Sequence, residues 1–163
     1  MPVGEAPFPM SDIVPVRSAC QADLGAILEL YQQLTPHGPV ADAVQAPAIW
    51  RELLARPGVT VLVADHDGRA SATCTLVIVP NLTRGGRPYA FIENVVTRCG
   101  LRGRGYGRAV LDAALSQAWA AGCYKAMLLS GQDEESGVPA FYERLGFRRG
   151  VKIRFEARPA SLR

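Results

Sequence analysis

Arg102-Gly103-Arg104-Gly105-Tyr106-Gly107 stands between a strand-like run and a helix-like run. Before it lies Phe91-Ile92-Glu93-Asn94-Val95-Val96-Thr97, apolar enough for a buried strand. After it, Arg108 to Ala121 puts Val110, Leu111, Ala114, Leu115 and Ala118 at helical spacing. The glycines therefore sit where a strand hands over to a helix. They let the backbone turn tightly and let a ligand come close. The first helical turn leaves amide N–H groups unpaired, and the helix dipole adds partial positive charge there. Such a turn is a cradle for an anion. Arg98, Arg102, Arg104 and Arg108 add formal charge to the same segment.

Two familiar phosphate loops are excluded by spacing. A dinucleotide fingerprint needs glycine where Arg108 stands, and no Gly-Lys-Ser/Thr occurs anywhere. The chain has 163 residues, 48% hydrophobic and 20% charged, which suits one domain with an ordinary core. A net charge of +3 does not by itself suggest nucleic acid, and no apolar run reaches the roughly 20 residues of a membrane span. Cys20, Cys74, Cys99 and Cys123 form no close pair, which reads as free thiols in a cytoplasmic protein. His37 and His66 have no metal-ligand spacing, so both read as loop histidines and no metal is expected. Met1 to Met10 carries three prolines and no basic residue. Residues 1–11 are expected to be disordered, and 12–163 to form one domain.

Taken in order, Asp12 to Arg17 reads as an edge strand because of Pro15. Leu24, Ile27, Leu28, Tyr31 and Leu34 make one helical stripe. Pro47 opens a second helix, which ends at Pro57-Gly58. Val59 to Ala64 and Ala70 to Val79 form a hairpin about Asp67-Gly68. Tyr89 to Thr97 is the central strand, and Gly122 ends the long helix after it. Tyr124 to Ser130 is a strand, Gln132 to Gly137 an acidic loop, Pro139 to Leu145 a short helix and Val151 to Ala157 a last strand. The fold class is α+β. It has a mainly antiparallel central sheet of about six to seven strands, helices on both faces and one βαβ crossover at the glycine loop.

The spacing Arg102-x-x-Gly105-x-Gly107 resembles the pyrophosphate loop of the GNAT superfamily of acetyl-CoA-dependent N-acetyltransferases. Phe141-Tyr142-Glu143-Arg144-Leu145-Gly146-Phe147 is similar to that superfamily's Phe-Tyr-x-x-x-Gly-Phe helix. The order of elements matches from about Asp12 to Ala157. Ile92-Glu93-Asn94-Val95-Val96 and Gly122-Cys123-Tyr124-Lys125 most resemble the glucosamine-phosphate N-acetyltransferase branch. That branch commonly has aspartate where Asn94 stands, and proline where Cys99 stands.

The resemblance implies roles. The backbone of Val95, Val96 and Thr97 would bond the pantetheine arm of acetyl-CoA. The amides of Arg102, Gly103, Arg104, Gly105, Tyr106, Gly107 and Arg108 would hold its pyrophosphate. Tyr142 matches the tyrosine beside the thiolester sulfur, where it would protonate the departing thiolate; otherwise Phe141 and Tyr142 are packing residues. Glu93 is either the base that takes the amine's proton or a glutamate paired with an arginine such as Arg87. Arg84, Arg87 and Asn94 are candidates for the acceptor side, with the loop Asn81 to Pro88 and the first helix-loop-helix as its walls.

An N-acetyltransferase acting on the amine of a small molecule is the leading function. A protein N-terminal or lysine acetyltransferase and a non-catalytic acyl-CoA-binding module are the alternatives. Such domains often pair, so a homodimer is compatible. Nucleic-acid binding rests on the arginine loop alone and lacks an aromatic-rich sheet signature.

Overall fold

The computed structural model describes residues 14–130, 136–150 and 156–159. The elements are β1 (Val16–Ser18), α1 (Leu24–Leu34), α2 (Ala46–Ala55), β2 (Val59–His66), β3 (Arg69–Val79), β4 (Tyr89–Thr97), α3 (Tyr106–Ala120), β5 (Ala126–Met127) and α4 (Val138–Arg144). The strands form one sheet in the order β1-β2-β3-β4-β5. The first three pairings are antiparallel. Before β5, Tyr124 donates to the Pro88 carbonyl and Ala90 to that of Lys125, so the two segments run parallel, as a βαβ crossover requires.

The sheet has five strands among the described residues, not six to seven. The expected last strand, Val151 to Ala157, lies mostly outside the described residues, as do the N-terminal segment and most of the acidic loop. Two strands are also shorter than expected. Pro15 has no N–H, so β1 begins after it, although its carbonyl still accepts from Asp65 at 3.1 Å. Tyr124 to Ser130 contracts to Ala126–Met127, residues with little strand preference of their own.

The chain separates into two compact units, Met1–Ala126 and Met127–Arg163. In the first, alternation along the strands sends side chains to two covered faces. Val61, Val63 and Val96 join Ile27 and Leu30 of α1 and Trp50 of α2. The neighbours Leu62, Cys74 and Ile92 face the other way, towards α3, where Val110, Leu111, Ala114 and Ala118 are fully buried. Cys74 lies against the Val110 carbonyl (Sγ to O, 3.5 Å). Cover on both faces is why β3 alternates so little. Gly122 ends α3 with a left-handed residue: its N–H reaches the Trp119 carbonyl, and that of Cys123 reaches Ala118.

Candidate active site

The middle of β4 is irregular in a specific way. Thr75 pairs with Glu93 and Thr73 with Val96, so Asn94 and Val95 together oppose the single residue Cys74. This is a β-bulge, and Asn94 takes φ +52°, a left-handed conformation that asparagine tolerates better than most residues. A bulge bends its strand and breaks the ladder. Beyond it β4 runs on to Thr97, whereas β5 stops at Met127. Val96 and Thr97 pair with Thr73 and Ala72 of β3, Val95 is left to the bulge, and the Val96 side chain is committed to the core beneath α1.

After β4 comes a 3₁₀ turn, Cys99–Leu101, and then the glycine loop. Three contacts fix this loop. Gln33 of α1 accepts from the Cys99 N–H at 2.9 Å. The Arg102 Nε donates to the Thr97 carbonyl at 3.3 Å. The Tyr106 hydroxyl meets the His66 Nδ1 at 2.7 Å, with the rings edge to face. His66 ends β2 and is not a loop histidine; nothing in its sequence surroundings pointed to Tyr106.

Gly105 caps α3 at φ +88°, and no side chain bonds to the helix's first amides. Gly103 is also left-handed (φ +76°), and a Cβ on either glycine would project into open space. Uncapped amides, a left-handed turn and room for a close approach suit an anion. The charge is less concentrated than the sequence implies. Arg98 turns back to Glu29 (3.3 Å) and the Ala70 carbonyl, and Arg108 pairs with Asp112 one turn on. Arg104 is exposed, with no hydrogen bond or ion pair among the described residues.

Glu93 is exposed and has no hydrogen bond or ion pair among the described residues. Arg87 is occupied elsewhere, donating to the carbonyls of Gly122 and Cys123 at 3.2 Å each, where it braces the end of α3. Arg84, at φ +56°, lies 5.8 Å from the Tyr124 ring centre, and Lys125 lies over the Tyr89 and Tyr124 rings.

The helix-loop-helix expected to wall an acceptor lines a half-open groove, with Leu34, Thr35 and Ile49 exposed along it. About 250 Å³ lies between α1, α2 and the segment joining them, and Asn94 of the bulge reaches it. Tyr31 also lines it, a residue that sequence periodicity assigned only to the core stripe. Burial pushes the Tyr31 phenol up, and Thr75 and Asn94 face the hydroxyl closely enough to oppose that rise. Neither forms a well-aligned hydrogen bond with it, so among the described residues the buried oxygens of Tyr31 and Thr75 have no partner.

Tyr142 belongs to the second unit, on α4. Gly146 follows that helix at φ +88°. The Gly146 N–H donates to the Glu143 carbonyl and the Phe147 N–H to that of Tyr142, at 2.9 and 3.2 Å. The Phe147 ring packs edge-on to Tyr142 at 5.9 Å. This is a Schellman ending with its hydrophobic contact. It gives the Phe-Tyr-x-x-x-Gly-Phe spacing a physical reason: glycine makes the turn, and the turn sets phenylalanine against tyrosine.

Among known proteins, the sequence model of the Acetyltransferase (GNAT) family matches residues 25–147. A glucosamine 6-phosphate N-acetyltransferase of Trypanosoma brucei brucei is 36% identical over 143 residues, covering 85% of this chain and 93% of that protein. The solved structure of a provisionally assigned acetyltransferase from Agrobacterium tumefaciens str. C58 is 49% identical. It superposes with a TM-score of 0.84 over 90% of this chain and 100% of that one. A structure from Clostridium acetobutylicum solved with acetyl-CoA shares the fold at 20% identity, with a TM-score of 0.67 over 87% and 95% of the chains.

Proposed function

The chain belongs to the GNAT acetyltransferase family and is an acetyltransferase; from that premise we propose that it carries the acetyl group of acetyl-CoA to the primary amine of a small molecule, by direct attack. The observation that carries this reading is the β4 bulge at Asn94–Val95 leading into the uncapped start of α3. One stretch of chain thereby joins a bulged strand segment to an anion cradle, two features that suit a long phosphorylated thioester.

In this reading the amides from Arg102 to Arg108 hold the pyrophosphate, and the backbone of Val95, Val96 and Thr97 aligns the pantetheine arm. Acetyl-CoA supplies the acyl thioester. Glu93 takes a proton from the amine, directly or through water, as the new C–N bond forms. Tyr142 gives a proton to the sulfur as the C–S bond breaks. A phenol with an ordinary pKa of about 10 keeps its proton at pH 7 and can still release it to a thiolate. Asn94, in the bulge beside Glu93, lies on the acceptor side. The family match spans both compact units, which supports reading 12–163 as one functional domain. A cytoplasmic location and a homodimer are compatible with this reading. Among the described residues no helix is long and apolar enough to cross a membrane, and no cluster of three metal-ligating side chains occurs.

Thiol release from acetyl-CoA across a panel of amines tests the proposal. Release that depends on a primary amine, with the acetylated amine identified by mass, is the expected result. Tight acetyl-CoA binding with no release from any amine would favour a non-catalytic acyl-CoA-binding module. Acetylation of peptides alone would favour the protein-directed reading.

A further inference from the structure

Resting on the acetyl-CoA reading above, we propose that His66, at the end of β2, is a positioning residue for acetyl-CoA. Through the Tyr106 hydroxyl it holds the first residue of α3, and with it the pyrophosphate cradle, in place before the ligand arrives.

The loop has little else to hold it. Arg102, Gly103, Arg104 and Gly105 are all exposed. Gly103 and Gly105 are left-handed, and glycine leaves the backbone more freedom than any other residue. Among the described residues the hydrogen bonds of these four are all local. The Arg102 N–H donates to the Cys99 carbonyl, its Nε donates to the Thr97 carbonyl, and the Gly105 carbonyl accepts from Ala109. Upstream of the loop, Gln33 of α1 ties down the Cys99 N–H, and Leu101 is buried. At the mouth of α3, the tie to another element is the Tyr106 hydroxyl, 2.7 Å from His66 Nδ1 with the two rings edge to face.

The surroundings of His66 set the direction of this bond. The Asp67 carboxylate lies 3.4 Å from Nε2. A carboxylate there favours the tautomer with its proton on Nε2, which leaves Nδ1 to accept from the phenol. Both rings are half-buried, so water competes less for the bond than at an open surface. A pyrophosphate needs several amides aimed at one place. Ordering a glycine turn at the moment of binding lowers affinity, and a turn held in advance avoids that loss. A bond between two side chains should therefore appear in the dissociation constant of the ligand.

The test is calorimetry of coenzyme A and acetyl-CoA on the full chain. His66→Leu should raise both dissociation constants by roughly three- to tenfold. His66→Asn, whose amide oxygen can take the place of Nδ1, should restore most of the affinity. Tyr106→Phe breaks the same bond by removing one oxygen and keeps the ring, so it serves if His66→Leu fails to fold. It should weaken binding by the same factor, and the double variant by no more than either single one. With an amine that is acetylated, KM for acetyl-CoA should rise in His66→Leu while kcat stays within about twofold. Wild-type affinity in both His66→Leu and Tyr106→Phe would overturn the proposal and leave the acetyl-CoA reading standing. So would additive losses in the double variant, or a fall in kcat with KM unchanged. No binding of coenzyme A or acetyl-CoA to the wild-type chain would overturn that reading, and the proposal with it.

Discussion

Asp23 shows how one side chain can secure the turn that leads into α1. It is 93% buried and takes two hydrogen bonds from the Arg17 guanidinium at 2.8 Å and one from the Cys20 N–H at 2.7 Å. Arg17 holds its carboxyl down to about 2 against the opposing effect of burial, with the Cys20 amide helping. The pKa is depressed on folding, so this contribution is present above the unfolded value of about 4 and is lost as pH falls towards 2. Asp23→Asn should therefore destabilise by roughly 1–2 kcal/mol at pH 7, allowing for solvent screening at Arg17. Urea titrations should show the gap to wild type closing between pH 4 and pH 2; a pH-independent gap would mean that shape matters and charge does not. Tyr142 is tested at the same scale. Tyr142→Phe keeps the ring that packs on Phe147 and removes only the hydroxyl proposed as the acid. Single-turnover acetyl transfer should fall by roughly one to three orders of magnitude, with acetyl-CoA affinity little changed. A wild-type rate would make Tyr142 a packing residue.

The glycine turns are elements whose value depends on what their missing Cβ would meet. At Gly105 it would meet nothing, but φ +88° disfavours any side chain. Gly105→Ala should cost roughly 1–2 kcal/mol of stability and weaken acetyl-CoA at least tenfold, because the methyl group occupies the space the pyrophosphate needs. Gly58, between α2 and β2, is a matched contrast. Its Cβ would lie 2.8 Å from the Ile78 carbonyl oxygen, and the Gly58 carbonyl itself accepts from Ile78 at 2.7 Å. Gly58→Ala should destabilise at least as much and leave the acetyl-CoA dissociation constant at its wild-type value. Calorimetry on both variants separates a binding glycine from a folding glycine. Equal loss of affinity in the two would place the cradle elsewhere.

For the whole molecule, a ligand held only by the folded state must stabilise it. At a hundred times its dissociation constant, acetyl-CoA should add about 2.7 kcal/mol, a rise in Tm of roughly 5–10 °C for a chain of this size. Coenzyme A should give a comparable shift, because the proposed cradle is for the pyrophosphate, which both ligands carry. No shift at millimolar ligand, with no heat of binding, would contradict the site assigned to the glycine loop.

The sequence determined what is local. Glycines between an apolar strand and a periodic helix, and a helix ending in Gly-Phe after Phe-Tyr, are patterns whose cause lies within a few residues: a left-handed turn, a free amide, a Schellman ending. The family and the order of elements follow from such patterns. Tertiary structure decided everything that depends on which segments meet. Alternation could not show that β4 gains a residue at Asn94, because a bulge is defined against the partner strand, here at Cys74. Charge counting could not show that Arg98 belongs to Glu29 and Arg87 to the end of α3. Helical spacing placed Tyr31 on an apolar stripe but could not show that its hydroxyl lies beside Thr75 and Asn94, at a groove between α1 and α2. A hydrogen bond or a desolvated pocket is fixed by distances between residues far apart in the chain, and those distances exist only once the core has closed.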